Sequence, residues 1–200
     1  MTIEEINKHY KSLRQIVYSI QESWRFFGQV FRSGEENINL LNRSAGHFFY
    51  QCHRSINVAV IVRICALIER SETLGRENLS FKQLAEQIET IDEVEGKKIL
   101  CKITEEEPQF NNLVTVRNRA LAHFDLKTFG EHSAPHSETD AAIEALLRIL
   151  DCFEDYLQPS ERRWKHPPHY PPGSTGDILL QILRHRESLI AENAMLRSAQ

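Results

Sequence analysis

One ten-residue segment holds most of the side chains on which a reaction could be built. It runs from Val116 to Asp125, reads VRNRALAHFD, and places two arginines, an amide and an imidazole within a few helical turns. Histidine titrates near neutral pH, so His123 can serve as a general base or a general acid. Arginine is always charged and binds phosphate with a planar fork, which makes Arg117 a candidate phosphate ligand.

These residue types suit the cleavage of RNA by its own 2′-hydroxyl group. That reaction needs one proton removed, one proton supplied, and neutralisation of the charge that develops on the phosphorane. A histidine and an arginine can supply all three. No metal ion is required in principle, so we predict neither a metal nor another cofactor.

The same segment is predicted to be helical. Pro108 suits the first turn of a helix, where a missing N–H costs little. From there Leu113, Val116, Ala120 and Phe124 recur at helical spacing and predict an apolar stripe that faces the core.

The helical geometry places the polar residues of the segment on one broad face. At about 100° per residue, Arg117 and His123 lie about 120° apart around the axis and about 9 Å apart along it. Arg119 and His123 are four residues apart and are neighbours. Two such helices packed antiparallel could combine Arg117 and His123 from different chains. The alternative is a surface helix with solvated arginines and a histidine that is hydrogen-bonded to its neighbours.

Arg117 and Asn118, followed by four residues and then His123, match the Arg-polar-x4-His motif of the HEPN superfamily of small helical ribonucleases and nucleotide-binding proteins. The wider segment resembles the abortive-infection U-type (AbiU-like) branch. The same branch has, in the same order, an aromatic run like residues 48–50, a long apolar helix, and a segment like residues 77–80 before a short helix. The resemblance covers roughly residues 1–160.

The resemblance implies a role for each motif residue. Arg117 and His123 would be the catalytic pair of a metal-independent endoribonuclease, and Asn118 would support them. Arg119 would be an auxiliary phosphate contact, and Asp125 is a further supporting candidate. The family forms dimers whose motif helices face one another across a shared cleft, so a homodimer and an RNA substrate are expected.

The resemblance also implies a biological setting and leaves a rival function open. The setting is phage defence or toxin action, with a neutralising antitoxin as a possible partner. Some members of the superfamily keep the motif only for binding, so the rival is a non-catalytic module that binds nucleotide or protein through the same cleft. A purely structural dimer is a second rival.

Composition excludes several other classes of protein. The formal net charge of −4 over 200 residues means that nucleic acid must be bound by a local basic patch. The four cysteines have no paired spacing, which argues against disulfides and zinc. The N-terminus lacks the order of a signal peptide, and the run from Val58 to Ile68 contains Arg63 and is too short to span a bilayer. We therefore expect a soluble cytoplasmic protein without membrane contact.

The predicted fold is all-α, an antiparallel bundle of about five helices within residues 1–165. A capping box at Thr2 and Glu5 opens a long helix that ends near Gly34, and its aromatic stripe is predicted to be core. A second long helix is expected from about Leu41 to Ser71. Three shorter helices are predicted besides the motif helix. The first opens with a capping box at Ser80 and Gln83, the second covers residues 94–103 and is weakened by Gly96, and the third follows the motif helix and is capped by Ser137.

Some polar clusters allow two interpretations each. The loop from Lys127 to Pro135 and the adjoining His136 could, with His132, His123 and Asp125, form a metal site, but loop histidines beside a proline lack the fixed spacing of such a site. The loop can instead be solvated or act as a lid over the cleft. The basic segment 162–166, with its tryptophan, can hold single-stranded RNA or form a polar domain edge.

The C-terminal part is predicted to be a linker and a helix. Residues 166–176 contain four prolines and two glycines, a composition typical of an extended linker. Asp177 is predicted to cap a last amphipathic helix within residues 177–200. Ile182, Leu189 and Leu196 are seven residues apart, as in a parallel two-stranded coiled coil. The alternative is a helix folded back on its own bundle.

Overall fold

A computed structural model describes residues 2–122, 134–158 and 175–198. The described chain is all-α apart from one very short hairpin, as predicted. Its elements, in chain order, are α1 (Ile3–Phe31), α2 (Glu35–Leu67), β1 (Glu72–Thr73), β2 (Arg76–Glu77), α3 (Phe81–Glu89), α4 (Glu93–Glu106), a 3-10 turn (Glu107–Phe110), α5 (Asn111–Val116), a π-helical turn (Arg117–Ala122), α6 (His136–Leu157) and α7 (Gly176–Ser198). The described residues divide into two compact units.

The first unit takes its described residues from Met1–Gln21 and Val58–Lys165. Its core is formed by large side chains that are fully buried; they include Tyr10, Leu13, Ile64, Phe81, Phe110 and Phe153. The rings of Phe81 and Phe153 stack with centroids 5.7 Å apart, which joins α3 to α6. Burying each side chain of this size stabilises the fold by about 1.5–3 kcal/mol.

Helix α1 begins as its sequence predicts. The Thr2 N–H donates to the Glu5 carboxylate at 2.8 Å, and the Glu5 N–H donates to the Thr2 hydroxyl at 3.3 Å. These two bonds form the predicted capping box and satisfy backbone N–H groups that a helix N-terminus leaves unpaired. The apolar stripe of the helix is core, as predicted, except at Ile3, which is exposed, and at Phe31, which is half-buried.

Helix α2 differs from its prediction at both ends. It starts at Glu35 rather than near Leu41, and its helical path is interrupted at Ala45 (φ −164°, ψ 63°). It ends at Leu67 because a hairpin follows, which the sequence analysis missed. The two hairpin strands are joined by Leu74 and Gly75, both at positive φ (52° and 75°), as a two-residue type I′ turn requires.

The next two helices pack closely because of a glycine. Ser80 caps α3 as predicted, accepting a hydrogen bond from the Gln83 N–H at 3.2 Å. A Cβ atom at Gly96 of α4 would lie 2.4 Å from the Cα of Glu89 in α3. The glycine that weakens α4 as an isolated helix therefore lets α3 and α4 approach each other.

Helix α6 begins two residues earlier than predicted. Its N-cap is Pro135 and its first residue is His136, so Ser137 is not the cap and His136 belongs to the helix. Pro135 has φ −54° and ψ 146°, which lie outside the helical region, and it makes no side-chain cap bond to the helix. The apolar stripe expected to form the core side of this helix runs from Ala142 to Leu157; it is buried as far as Phe153, whereas Leu157 is half-buried.

The second unit takes its described residues from Glu22–Asn57 and His166–Gln200. Its apolar core consists of Val30, Leu40, Leu41, Phe49 and Leu180. Leu180 belongs to α7, so the first turns of the C-terminal helix pack on α1 and α2 of their own chain. Past Glu187, the described side chains of α7 are exposed.

Polar contacts hold α7 on this unit. The Gly176 N–H donates to the Gln29 side-chain oxygen at 3.0 Å, and Arg184 donates to the Asn37 side-chain oxygen. Arg43 binds Glu187 through two N–H groups, at 3.0 and 3.1 Å. A helix is thus present in the predicted region, but it begins at Gly176, so Asp177 lies in its first turn and is not its cap. Residues 166–174 of the predicted linker lie outside the described part. Among the described residues, no helix has both the length and the apolar character needed to cross a membrane.

Candidate functional site

The predicted motif helix has three parts with different helical geometry. Pro108 opens the 3-10 turn, as suits a proline in a first turn, and α5 follows with Leu113 and Val116 buried. The chain then widens into the π-helical turn at Arg117. A π-turn closes i→i+5 hydrogen bonds, so the spacing of 100° per residue assumed for an α-helix does not apply from Arg117 onward. Such turns occur frequently at functional sites.

Arg117 is held on two sides. Its Nη1 group donates to a carboxylate oxygen of Glu69, and its Nε group donates to the Asn118 side-chain oxygen at 3.0 Å. The Glu69 contact is also an ion pair, in which the arginine side chain is 22 % exposed and the glutamate side chain 37 % exposed. The guanidinium plane is therefore fixed by groups from two segments, 48 residues apart in the chain.

Cys65 lies in the last turn of α2, one helical turn before Glu69 and close to the Arg117 charge. Burial raises the pKa of its thiol to about 11, although the positive charge of Arg117 opposes this rise. The thiol is therefore neutral at physiological pH. A neutral, fully buried thiol is a packing group and not a nucleophile.

Of the remaining motif residues, two lie within the described part of the chain and two lie outside it. Asn118 and Arg119 are exposed on the π-helical turn, and Asn118 supports Arg117 by accepting its hydrogen bond. Arg119 has at least one interaction partner. The predicted base His123 and the supporting Asp125 lie outside the described residues. The predictions for these two positions stay predictions.

Glu69 is part of this site although no sequence pattern points to it. A single glutamate just beyond an apolar helix carries no local pattern, because such residues commonly end helices at a surface. Only the approach of residues 117–118 to the end of α2 reveals the contact.

The structure adds little support for the other candidate sites, the metal site and the basic segment. No group of three or more His, Cys, Asp or Glu side chains suited to a metal ion occurs within the described ranges. His136 is the first residue of α6, whereas His132 and the basic segment 162–166 are outside the described part. In the second unit, the ring of His53 packs against Phe27 and Phe31 with centroids 4.9 and 5.3 Å away.

Comparison with known proteins gives one match. Residues 3–178 match the model of a HEPN protein family described as AbiU2. The match includes the whole motif segment and confirms the resemblance predicted from Arg117, Asn118 and His123. No curated protein and no solved structure matched the chain.

Proposed function

The chain belongs to the AbiU2 family of HEPN proteins, and on that premise we propose that it is a metal-independent endoribonuclease whose catalytic residues are Arg117 and His123. Asn118 orients Arg117, Arg119 is an auxiliary phosphate contact, and Asp125 is a supporting residue. The observation that carries the proposal is the fixed guanidinium of Arg117, held by Glu69 and Asn118 on the π-helical turn. A pre-oriented cation is what stabilisation of a charged transition state requires.

The proposed reaction uses the substrate's own hydroxyl group as the nucleophile. A histidine removes the 2′-hydroxyl proton, the 2′-oxygen bonds to phosphorus, and the bond from phosphorus to the 5′-oxygen breaks. The leaving oxygen takes a proton, and the products are a 2′,3′-cyclic phosphate and a 5′-hydroxyl. Arg117 neutralises the charge that grows on the phosphorane oxygens.

One group must remove the proton of the 2′-hydroxyl and another must supply a proton to the leaving 5′-oxygen, so a pair of histidines would serve as base and acid. We propose that the pair comes from two chains of a homodimer, with the motif segments facing one another. We also propose a role in phage defence or as a toxin, with a neutralising antitoxin as partner. Membership of the family supports these proposals.

The rival function is a non-catalytic module that binds nucleotide or protein at the same residues. The contact with Glu69 favours this rival, because a carboxylate that neutralises part of the Arg117 charge leaves less of that charge to stabilise a phosphorane. Binding without cleavage would then be the function of the motif.

The test compares RNA cleavage by the purified full chain and its variants in EDTA. We expect His123→Ala to lower the rate by about 10²–10⁴ while RNA binding survives, because a neutral imidazole moves protons but adds little phosphate affinity. Arg117→Ala should lower both cleavage and binding. The pH–rate profile should bend near the ordinary histidine pKa of about 6.5.

Two variants serve as matched controls. His47→Ala removes an exposed histidine of α2, and Arg43→Ala breaks an arginine–glutamate pair in the second unit. Both should leave cleavage unchanged. RNA binding without cleavage by the wild-type chain would establish the non-catalytic rival, and activity that EDTA removes and added metal restores would contradict the metal-independent mechanism.

A further inference from the structure

Glu69 occupies a defined position although it lies just beyond the end of a helix. Ile64, Cys65 and Leu67 are buried in the last turn of α2 and fix the direction in which the chain leaves it. Glu69 is two residues past Leu67, in the connection to the hairpin. Its backbone is therefore anchored from the N-terminal side by packing.

Asn78 anchors the same connection from the other side. Its side-chain amide donates to the Arg70 carbonyl and to the Thr73 hydroxyl, each at 2.8 Å, and its backbone N–H donates to the Ser71 carbonyl at 2.7 Å. These bonds close the hairpin onto the two residues that follow Glu69. A chain of contacts thus runs from Asn78 through the backbone at Arg70 to Glu69, and from Glu69 to Arg117.

The two side chains of this ion pair differ in their exposure to solvent. The Arg117 side chain is the less exposed of the pair, 22 % against 37 % for Glu69. A long, flexible arginine that is largely buried loses less entropy on binding substrate if it is already fixed. The Asn118 bond to Nε fixes one edge of the guanidinium, and the Glu69 bond to Nη1 fixes another.

We propose that Glu69 is a positioning residue for Arg117, and that Asn78 holds Glu69 in the place where it can act. The proposal rests on the proposed function, because it assigns Glu69 a part in the same reaction. Glu69 orients the guanidinium before the phosphorane forms, at the expense of some ground-state affinity for phosphate. Its removal therefore lowers turnover and leaves RNA binding equal or tighter.

The first test measures kcat and KM separately for each variant, by single-turnover and steady-state cleavage of one RNA. We expect Glu69→Ala to lower kcat on the order of 10- to 100-fold, as for a misplaced catalytic group, with KM unchanged or lower. Glu69→Gln keeps an oxygen that accepts from Nη1 and should restore most of kcat. Glu72→Ala, which removes an exposed carboxylate of the neighbouring strand, is the matched control and should behave as wild type.

A second comparison tests whether Glu69 acts through Arg117. In the Arg117→Ala background, Glu69→Ala should cause no further loss, because the group that it positions is gone. An equal loss in both backgrounds would show a structural role and overturn the proposal. Faster cleavage by Glu69→Ala would also overturn it and would make Glu69 a competitor of the phosphate.

Asn78 supplies a near-isosteric variant. Asn78→Asp removes the side-chain donor that binds the Arg70 carbonyl and the Thr73 hydroxyl while keeping the size of the side chain. We expect a smaller fall in kcat, about fivefold, because the bond to the Arg70 carbonyl is lost while the Thr73 hydroxyl can donate to the new carboxylate. A fall in kcat equal to that of Glu69→Ala, with an unchanged Glu69–Arg117 pair, would contradict the chain of contacts.

A spectroscopic readout keeps this proposal distinct from the proposed function. The Arg117 Nη1–H signal in a ¹⁵N-correlated NMR spectrum, assigned by its loss in Arg117→Ala, should exchange slowly with water in the wild type. It should broaden or vanish in Glu69→Ala and persist in Glu72→Ala. If the wild-type chain does not cleave RNA, the proposed function fails; if the signal is unchanged in Glu69→Ala, the positioning role fails.

Discussion

Two arginine–glutamate pairs in the first unit show opposite patterns of burial. Arg148 of α6 binds Glu106 of α4 with Nε and Nη2, each at 2.8 Å from one carboxylate oxygen, and there the glutamate is the buried partner, 8 % exposed against 45 % for the arginine. In the pair of Arg117 and Glu69 the arginine is the less exposed partner. The buried partner is thus the glutamate in one pair and the arginine in the other.

The difference in burial indicates which charged group each pair stabilises. Glu106 is enclosed, and both Arg148 and Lys102 compensate its charge; the hydrogen bond from Arg148, more than that from Lys102, holds the pKa of the Glu106 carboxyl at about 2 in spite of its burial. This pair joins α4 to α6. At the motif, the more exposed partner is the carboxylate of Glu69, which fixes the guanidinium of Arg117. This is the arrangement expected when the arginine itself is the functional group.

The largest expected effect separates the two arginines by activity. Arg117→Lys keeps the charge but replaces a planar fork with a point charge, so we expect cleavage to fall about 10²-fold, in the range found when one oriented donor is lost. Arg148→Lys makes the same chemical change in the other pair and should leave cleavage within about twofold of wild type, because the change is outside the motif. Initial rates on one RNA substrate measure both. Equal losses in the two variants would end the distinction between the pairs.

The next effect separates the two glutamates by stability. Glu106→Ala should lower the free energy of unfolding by about 2 kcal/mol, because it removes charge-assisted hydrogen bonds to a buried carboxylate. Glu93→Ala breaks an exposed pair with Lys97 on the same helix and should change the urea midpoint little. Urea unfolding followed by circular dichroism gives both values. A midpoint for Glu106→Ala close to that of the control would mean that the buried carboxylate contributes no more than a surface charge.

The smallest effect is the pH dependence of the structural pair. The folded pKa of Glu106 lies below its ordinary value of 4.5, so its contribution to stability is complete above about pH 4.5 and is lost as the pH falls toward about 2. Glu106→Gln cannot titrate at this position. The difference in unfolding free energy between wild type and Glu106→Gln should therefore shrink through this window and stay constant above it. A constant difference from pH 5 to pH 2.5 would contradict the assignment.

The sequence determined the features that depend on neighbouring residues. The capping box at Thr2 and Glu5, the cap at Ser80 and the buried stripe of α1 all follow from spacing of three or four residues along one helix. The family resemblance was also readable from the motif itself. These features need only local hydrogen bonds and the helical period, so they can be predicted without a tertiary structure.

Predictions failed where a local preference competed with a distant contact or a special backbone conformation. The positive φ of Leu74 has no counterpart in the usual turn preferences, which favour glycine or asparagine at such positions, so the hairpin and the early end of α2 were missed. Ser137 looked like a cap, but the backbone of Pro135 starts α6 earlier. The packing role of Gly96 also had no local signal, since it depends on how closely α3 approaches α4.

The residues of the candidate site divide in the same way. The sequence alone selected Arg117 and Asn118, because their chemistry is intrinsic and their spacing is local. Only the tertiary structure decided that Glu69 meets Arg117 and that the chain forms a π-helical turn there, since an ion pair across 48 residues depends on how α2, the hairpin and α5 pack. Periodicity encodes which face of a helix is apolar, but it carries no information about which distant charge that packing brings to a given arginine.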